Sequence, residues 1–285
     1  VNKYTPYNRT MKISRIISIV LSIGLLTSIT PAFAADSLAG KGSSFAFNAL
    51  SNCSASYVND NVTYVSTGSG VGRTEFAAKN VDWAASDAPY TSNYPNFDYV
   101  TVPLFGGPVV FAYSAVGVGD GLQLTPAIVS GIFKGTITRW DDTTIQTLNP
   151  KVKLPKKAIK VAYRTSGSGT TANLTNYLSQ TVGGWIPNNK DLVASANGSF
   201  ASNSTSFATS ALLASYIEDN SNAFGYFDLS DAITADVGIA KLQNADGKFV
   251  LPSASAAGKF INAQTIDTNG IMTIDFNKVV PGAYQ

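Results

Sequence analysis

Histidine is absent from the sequence and cysteine occurs once, at Cys53. Without histidine there is no imidazole base for a Ser-His-Asp or Cys-His nucleophile, and the commonest zinc ligand is missing. One cysteine excludes an internal disulfide and any CxxC chemistry, and its simplest expected role is that of a small buried apolar side chain. Charge is scarce too, at 13% of residues. Residues 1–34 carry Lys3, Arg9, Lys12 and Arg15 and no acid, so the overall +2 becomes about −2 beyond them. A basic surface for nucleic acid is therefore not expected, and no nucleic-acid partner is assigned. Nor is there a long apolar run: the stretch from about Ile16 to Leu26 is too short to span a bilayer comfortably.

That stretch fits an export signal instead. Lys12 and Arg15 precede it and Ala32-Phe33-Ala34 closes it, so residues 1–34 read as a cleaved signal region and the rest as a soluble protein, periplasmic or secreted. No cysteine follows to carry a lipid anchor. The remainder, in a chain that is 45% hydrophobic, has enough apolar material for a sizeable core. Runs rich in Val, Tyr and Phe read as strands: "NVTYVS" (61–66), "YVTVPL" (99–104), "GPVVFAYSAV" (107–116), "AIKVAYR" (158–164) and "AFGYFDL" (223–229). Helices are expected over 44–58, 70–80, 125–133, 142–148, 170–180 and 205–219, with Thr125-Pro126 a good start signal. "ANGSFASNSTS" (196–206) reads as a surface loop. The alternation of strand and helix predicts an α/β fold with mixed, mainly parallel sheets and flanking helices.

Three strand-to-helix junctions share one composition: "GKGSSFAF" (40–47), "STGSGVGRTEF" (66–76) and "RTSGSGTTANL" (164–174). Small residues let the backbone turn sharply there, and the helix that follows offers unpaired N–H groups and a partial positive charge. Taken singly, each is no more than a capped helix start. None matches a P-loop, since no lysine follows the glycines at the required place, and "GSGVGR" spaces its glycines wrongly for a dinucleotide site. Repetition of the design points to an anion held where the three helix starts converge. Arg164 opens the third junction with a planar fork that matches two oxygens of a phosphate or carboxylate. Asp87, in "VDWAASDAPY", suits a site whose ligand carries a proton, because an ionised carboxylate can only accept. Read alone, Arg164 is a salt-bridging residue and Asp87 a turn residue ahead of Pro89.

In this order, "GKGSSF", "GSGVG", "VDWAASDAPY", "VPLFGGPVVFAYS", "LTPAIVSGIFKGTITRWDD", "LNPKVKLP", "YRTSGSGTT" and "AFGYFD" resemble the phosphate-binding subunit of the bacterial ABC-type phosphate transporter over about residues 38–280. The resemblance implies a two-lobed, type II Venus-flytrap periplasmic binding protein, with lobe one over 35–108 and 238–285 and lobe two over 109–237. It implies a hinge near "LFGGPVV" and again after "AFGYFDL". It also implies a ligand, inorganic phosphate, held by Ser44 and Phe45 from the first junction, Ser69 from the second, Asp87 as acceptor of the phosphate proton, Arg164 as clamp, and Ser168, Gly169 and Thr170 from the third. The implied partners are the membrane permease and ATPase subunits of an ABC transporter. The protein is expected to act as a monomer, with no cofactor, no metal and no catalytic residue. Two features depart from the family. Ser166 stands where many members carry an acid, and the chain stops at "VVPGAYQ", where members usually continue, so a C-terminally shortened lobe one is expected. The competing functions are a receptor for another oxyanion and a secreted phosphoryl-transfer enzyme, which would want a nucleophile with a base or bound metals.

Overall fold

The structure, a computed structural model, describes residues 37–165 and 167–285. The expected signal region and Ser166 lie outside the described residues.

The chain begins with β1 (Ser37–Gly42), α1 (Phe47–Ser56), β2 (Asn61–Ser66), α2 (Ser69–Ala77) and β3 (Trp83–Ala85). β1 sits centrally in a three-stranded sheet and pairs parallel with both neighbours, Gly42 opposite Ser66 on one side and Ala85 on the other. Parallel pairing brings the carboxyl ends of all three strands, and the turns after them, to one edge. Gly40 lies where a Cβ would meet the Trp83 ring at 2.2 Å, and Trp83 stacks on Tyr64 with ring centroids 5.0 Å apart.

Next come β4 (Val109–Ser114), β5 (Gln123–Leu124), α3 (Pro126–Lys134), α4 (Thr143–Leu148), β6 (Lys160–Arg164), α5 (Gly169–Thr181), α6 (Leu192–Ser195), β7 (Ser204–Phe207), α7 (Ser210–Asp219), β8 (Ala223–Asp228) and α8 (Leu229–Thr234). They are followed by β9 (Gly238–Ile239), β10 (Lys241–Gln243), β11 (Phe249–Val250), α9 (Ala254–Asn262), β12 (Thr265–Ile266) and β13 (Met272–Thr273). A five-stranded sheet runs in the order β7-β6-β8-β4-β9, parallel at β6–β7 and β6–β8 and antiparallel where β4 meets β8 and β9. α3 shows the expected start signal at work: Thr125 accepts from the Ile128 N–H, Pro126 holds the first position, and Gly135 closes the helix in the left-handed region. Asp142 caps α4, its side chain accepting from the Thr144 N–H. The main core lies on this sheet, with Phe111 and Phe224 stacked and Phe133, Trp140 and Tyr226 against them.

Residues 238–285 contribute to both regions. β9 extends the five-stranded sheet, β10 pairs parallel with β5, and Leu242, Phe260, Phe276 and Tyr284 join the main core. On the other side Ile261 approaches Gly106 and Gly270 approaches the carbonyl of Thr101.

Four expectations are corrected. "YVTVPL" (99–104) forms no strand: Pro103 has no N–H to give a ladder, and Val100, at 86% exposed, has no cover. The helix expected over 205–219 begins at Ser210, because Ser204–Phe207 pairs with β6, placing Phe207 opposite Arg164, and Thr209 supplies the cap. The same pairing takes the end of the expected loop 196–206 into β7. Cys53 is exposed, since α1 buries only Leu50 and turns the rest of its polar sequence outward.

Candidate anion-binding site

The carboxyl ends of β1, β2 and β3 and that of β6 meet, and the residues singled out from the sequence lie at this junction. The second and third loops touch directly. The Gly70 N–H donates to the Gly167 carbonyl at 2.8 Å, and a Cβ on Gly70 would stand 2.8 Å from that oxygen. A Cβ on Gly169 would fall 2.3 Å from Ser69 Oγ and 2.9 Å from the Asp87 carboxylate, so only glycine allows this approach.

Asp87 is the hub. Its Oδ2 accepts from Ser69 Oγ at 3.2 Å and from Thr170 Oγ1 at 3.4 Å, while Ser43 donates to Oδ1. Asn173 holds its main-chain carbonyl at 2.7 Å, which ties α5 to this loop. Burial pushes the Asp87 carboxyl above the usual range, while the hydroxyls of Ser43 and Ser69, the Arg164 charge and then Thr170 pull the other way. A desolvated carboxylate surrounded by donors is suited to take one more hydrogen.

Arg164, at the end of β6, is only 2% exposed. Its Nη1 donates to Ser210 Oγ at 3.1 Å and its Nη2 to the Ala208 carbonyl at 2.7 Å, while its main-chain N–H donates to Tyr226 Oη at 3.2 Å. Burial lowers its pKa, opposed in turn by Tyr226, Asp87, Asp228 and Asp231. Among the described residues its Nε is buried with no protein partner. Arg164 also lines a cavity of about 180 Å³ with Thr67, Gly68, Val71, Ser168 and Ala208.

Ser44 is buried and bonds Ser210 across the junction, Oγ to Oγ at 3.2 Å, and its Oγ accepts the Ser210 N–H at 3.1 Å. Ser168 caps α5, its Oγ accepting from the Thr171 N–H at 3.1 Å, so Gly169 and Thr170 form the open first turn of that helix. Phe45 is half-buried with its ring turned toward Gly107, which leaves the main chain as the part it can offer a ligand. The structure thus gathers Ser69, Asp87, Gly169 and Thr170 into one contact set and Ser44 and Arg164 into a second, joined through Ser210.

Several members of the site escaped sequence reading. Ser43 and Ser44 are adjacent hydroxyls, and spacing alone does not say which faces Asp87. Arg73, 6% exposed in α2, donates from Nη1 to Ser86 Oγ at 2.7 Å and steadies the Asp87 loop. Tyr226, inside "AFGYFD", bonds Thr171 at 2.5 Å besides receiving the Arg164 N–H. Ser210 had a signal in "ATSALL", where two hydroxyl residues precede a helix that needs only one cap.

The candidate site lies at strand carboxyl ends, on two sheets flanked by helices, and a model of the PBP superfamily domain matches residues 27–285. The phosphate-binding protein PstS of Xylella fastidiosa (strain Temecula1) is 31% identical over 252 residues, spanning 86% of this chain and 67% of that protein. That of Haemophilus influenzae is 32% identical over 239 residues, spanning 82% and 69%. The chain belongs to the PBP superfamily and, within it, to the phosphate-binding proteins called PstS. The fold is shared with a solved high-affinity periplasmic phosphate-binding protein (TM-score 0.69, 18% identity, 81% of this chain and 69% of the other). It is also shared with a phosphate-binding protein from Stenotrophomonas maltophilia (TM-score 0.61, 21% identity, 81% and 69%).

Proposed function

We propose that this chain is an exported receptor that binds inorganic phosphate between two lobes and delivers it to the permease and ATPase subunits of an ABC transporter. Its work is binding, with no chemical step and no cofactor. Ser44, Phe45, Ser69, Asp87, Arg164, Ser168, Gly169 and Thr170 hold the anion. The lobes divide near Gly106–Pro108, where the chain passes from the three-stranded sheet to β4 of the five-stranded one. Among the described residues no helix is long and apolar enough to cross a membrane.

The observation that carries the reading is the pairing of Asp87 and Arg164 at one junction with the first turn of α5. Arg164 and the helix N–H groups satisfy anionic oxygens, and hydrogen bonds to charged groups contribute about 1.5–3 kcal/mol each. Asp87 is unfavourable to an anion by Coulomb's law and becomes favourable only when the ligand brings a hydrogen. Phosphate keeps one or two protons at neutral pH and sulfate keeps none. An unprotonated ligand would set oxygen against carboxylate, a mismatch of the kind that rejects analogues by roughly 10⁴–10⁵-fold.

Isothermal titration of the anion-stripped protein with phosphate and then sulfate, at pH 5.5 and 8, tests this. Tight phosphate binding with negligible sulfate binding is expected at both pH values. Comparable sulfate binding would overturn the role of Asp87 and leave a general oxyanion receptor. Folded protein that binds neither anion would overturn the function.

A further inference from the structure

Ser210 belongs to no part of the phosphate-binding set above, yet it is fully buried and makes every link between Arg164 and Ser44. Its position follows from the local sequence. Thr209 caps α7, accepting the Leu212 N–H at 3.3 Å, so the next hydroxyl is released from capping and points into the junction.

The direction of its bond to Arg164 is fixed by what the partner can do. A guanidinium has no acceptor, so Ser210 Oγ must accept from Arg164 Nη1. Ser210 Oγ and Ser44 Oγ lie 3.2 Å apart, and either hydroxyl can donate to the other. The Ser210 N–H reaches the same oxygen at 3.1 Å. Ser44 Oγ is therefore held by two contacts from Ser210, of which the main-chain N–H is a fixed donor. Charge at one end of such a chain polarises each bond in turn. With Nη1 held by Ser210 and Nη2 by Ala208, the guanidinium is also locked about its axis, which leaves the buried Nε edge to an anion.

We propose that Ser210 is a positioning residue of the anion site, orienting the Arg164 guanidinium and fixing the place of the Ser44 hydroxyl. This rests on the phosphate-binding reading above. It brings the first turn of α7 into the site as a further segment.

The test is a double-mutant cycle read by phosphate titration calorimetry on wild type, Ser44→Ala, Ser210→Ala and the double variant. Urea denaturation alongside shows that each is folded. Each single variant is expected to lose about 10–30-fold in phosphate affinity, the range of one hydrogen bond in a charged network. The double variant is expected to lose at least threefold less than the product of the two. Ser210→Thr keeps the hydroxyl and should stay within about threefold of wild type. If Ser210→Ala does not fold, Ser210→Cys, nearly the same shape with a weak donor, takes its place in the cycle. Multiplicative losses, or a Thr variant as weak as the Ala variant, would overturn the proposal while leaving the function standing. Wild type that fails to bind phosphate would overturn the function first, and this proposal with it.

Discussion

β2 and β8 show how differently the two halves of the site are supported. Along β2 exposed and half-buried residues alternate, and none of the six is buried; along β8 all six are buried. The buried apolar side chains between residues 37 and 108 are Ala46, Leu50 and Val81, whereas the five-stranded sheet carries the stacked aromatics of the main core. Asp87 and the first two loops thus stand on a thinly covered sheet, and Arg164, α5 and α7 on a dense one. Burial of apolar surface dominates folding free energy, at about 25 cal/mol per Å². The five-stranded side is accordingly a preformed half-site. The three-stranded side gains much of its order from contacts across the junction, such as Gly70 to Gly167 and Ser44 to Ser210. Under the proposed function, a receptor that closes on its ligand would be suited by one firm and one compliant half.

The largest expected effect that would break this comparison is on stability. Phe224 is fully buried against Phe111, Phe133 and Trp140, so Phe224→Ala should cost about 3–5 kcal/mol in urea unfolding. Val65→Ala, at a side chain 51% exposed on β2, should cost less than about 0.5 kcal/mol. Similar losses at both sites would mean that the thin sheet is no weaker than the dense one. A smaller effect sharpens the contrast. Phosphate at one hundred times its dissociation constant should stabilise the protein by about 2.7 kcal/mol. In hydrogen exchange the added protection should concentrate in 42–46, 67–70 and 86–88 rather than in β8. An even gain over both sheets would contradict a compliant half-site.

Legibility in the sequence followed the same division. Strands whose neighbours bury them, such as Lys160–Arg164 and Ala223–Asp228, were readable because Val, Tyr and Phe crowd there and cap residues mark the next helix. The candidate anion loops were readable because three small-residue strand-to-helix junctions repeat one composition and Arg164 opens the third. What stayed hidden depends on pairing. "YVTVPL" has the composition of a strand, and nothing in its own residues says that no ladder partner lies beside it. Phe207 completes an apolar stripe with Leu212, Leu213, Tyr216 and Ile217, and only its register with Arg164 places it on β7. Ser210 and Tyr226 act through residues 46 and 62 positions away, a separation that local composition does not encode. Cys53 shows the converse, where a residue type usually buried lies exposed because its helix has little to pack against.

The smallest expected effect concerns the seam between the halves. Asn48, on α1 beside the thin sheet, donates to Asp231 Oδ1 at 3.0 Å and to Ser230 Oγ at 2.9 Å on α8, beside the dense one. Asp231 is pushed up to about 7, first by burial and then by the hydrogen bond and charge of Asp228, against the pull of Asn48 and Arg164. In the unfolded chain an aspartate titrates near 3.9. Between about pH 4 and 7 the folded state therefore holds a proton that the unfolded state has released. The associated stability is fully present below about pH 4 and is lost as pH rises through 7. Asp87, also raised, contributes with the same sign. Asp231→Asn keeps a partner for Asn48 and removes the titration, so urea midpoints measured from pH 4.5 to 8 should fall less steeply than in wild type without becoming flat. An unchanged slope would mean that Asp231 titrates normally and that the seam carries no buried charge. A flattened slope, with amide protection of α1 also becoming independent of pH, would place the proton at the contact through which the dense half steadies the thin one.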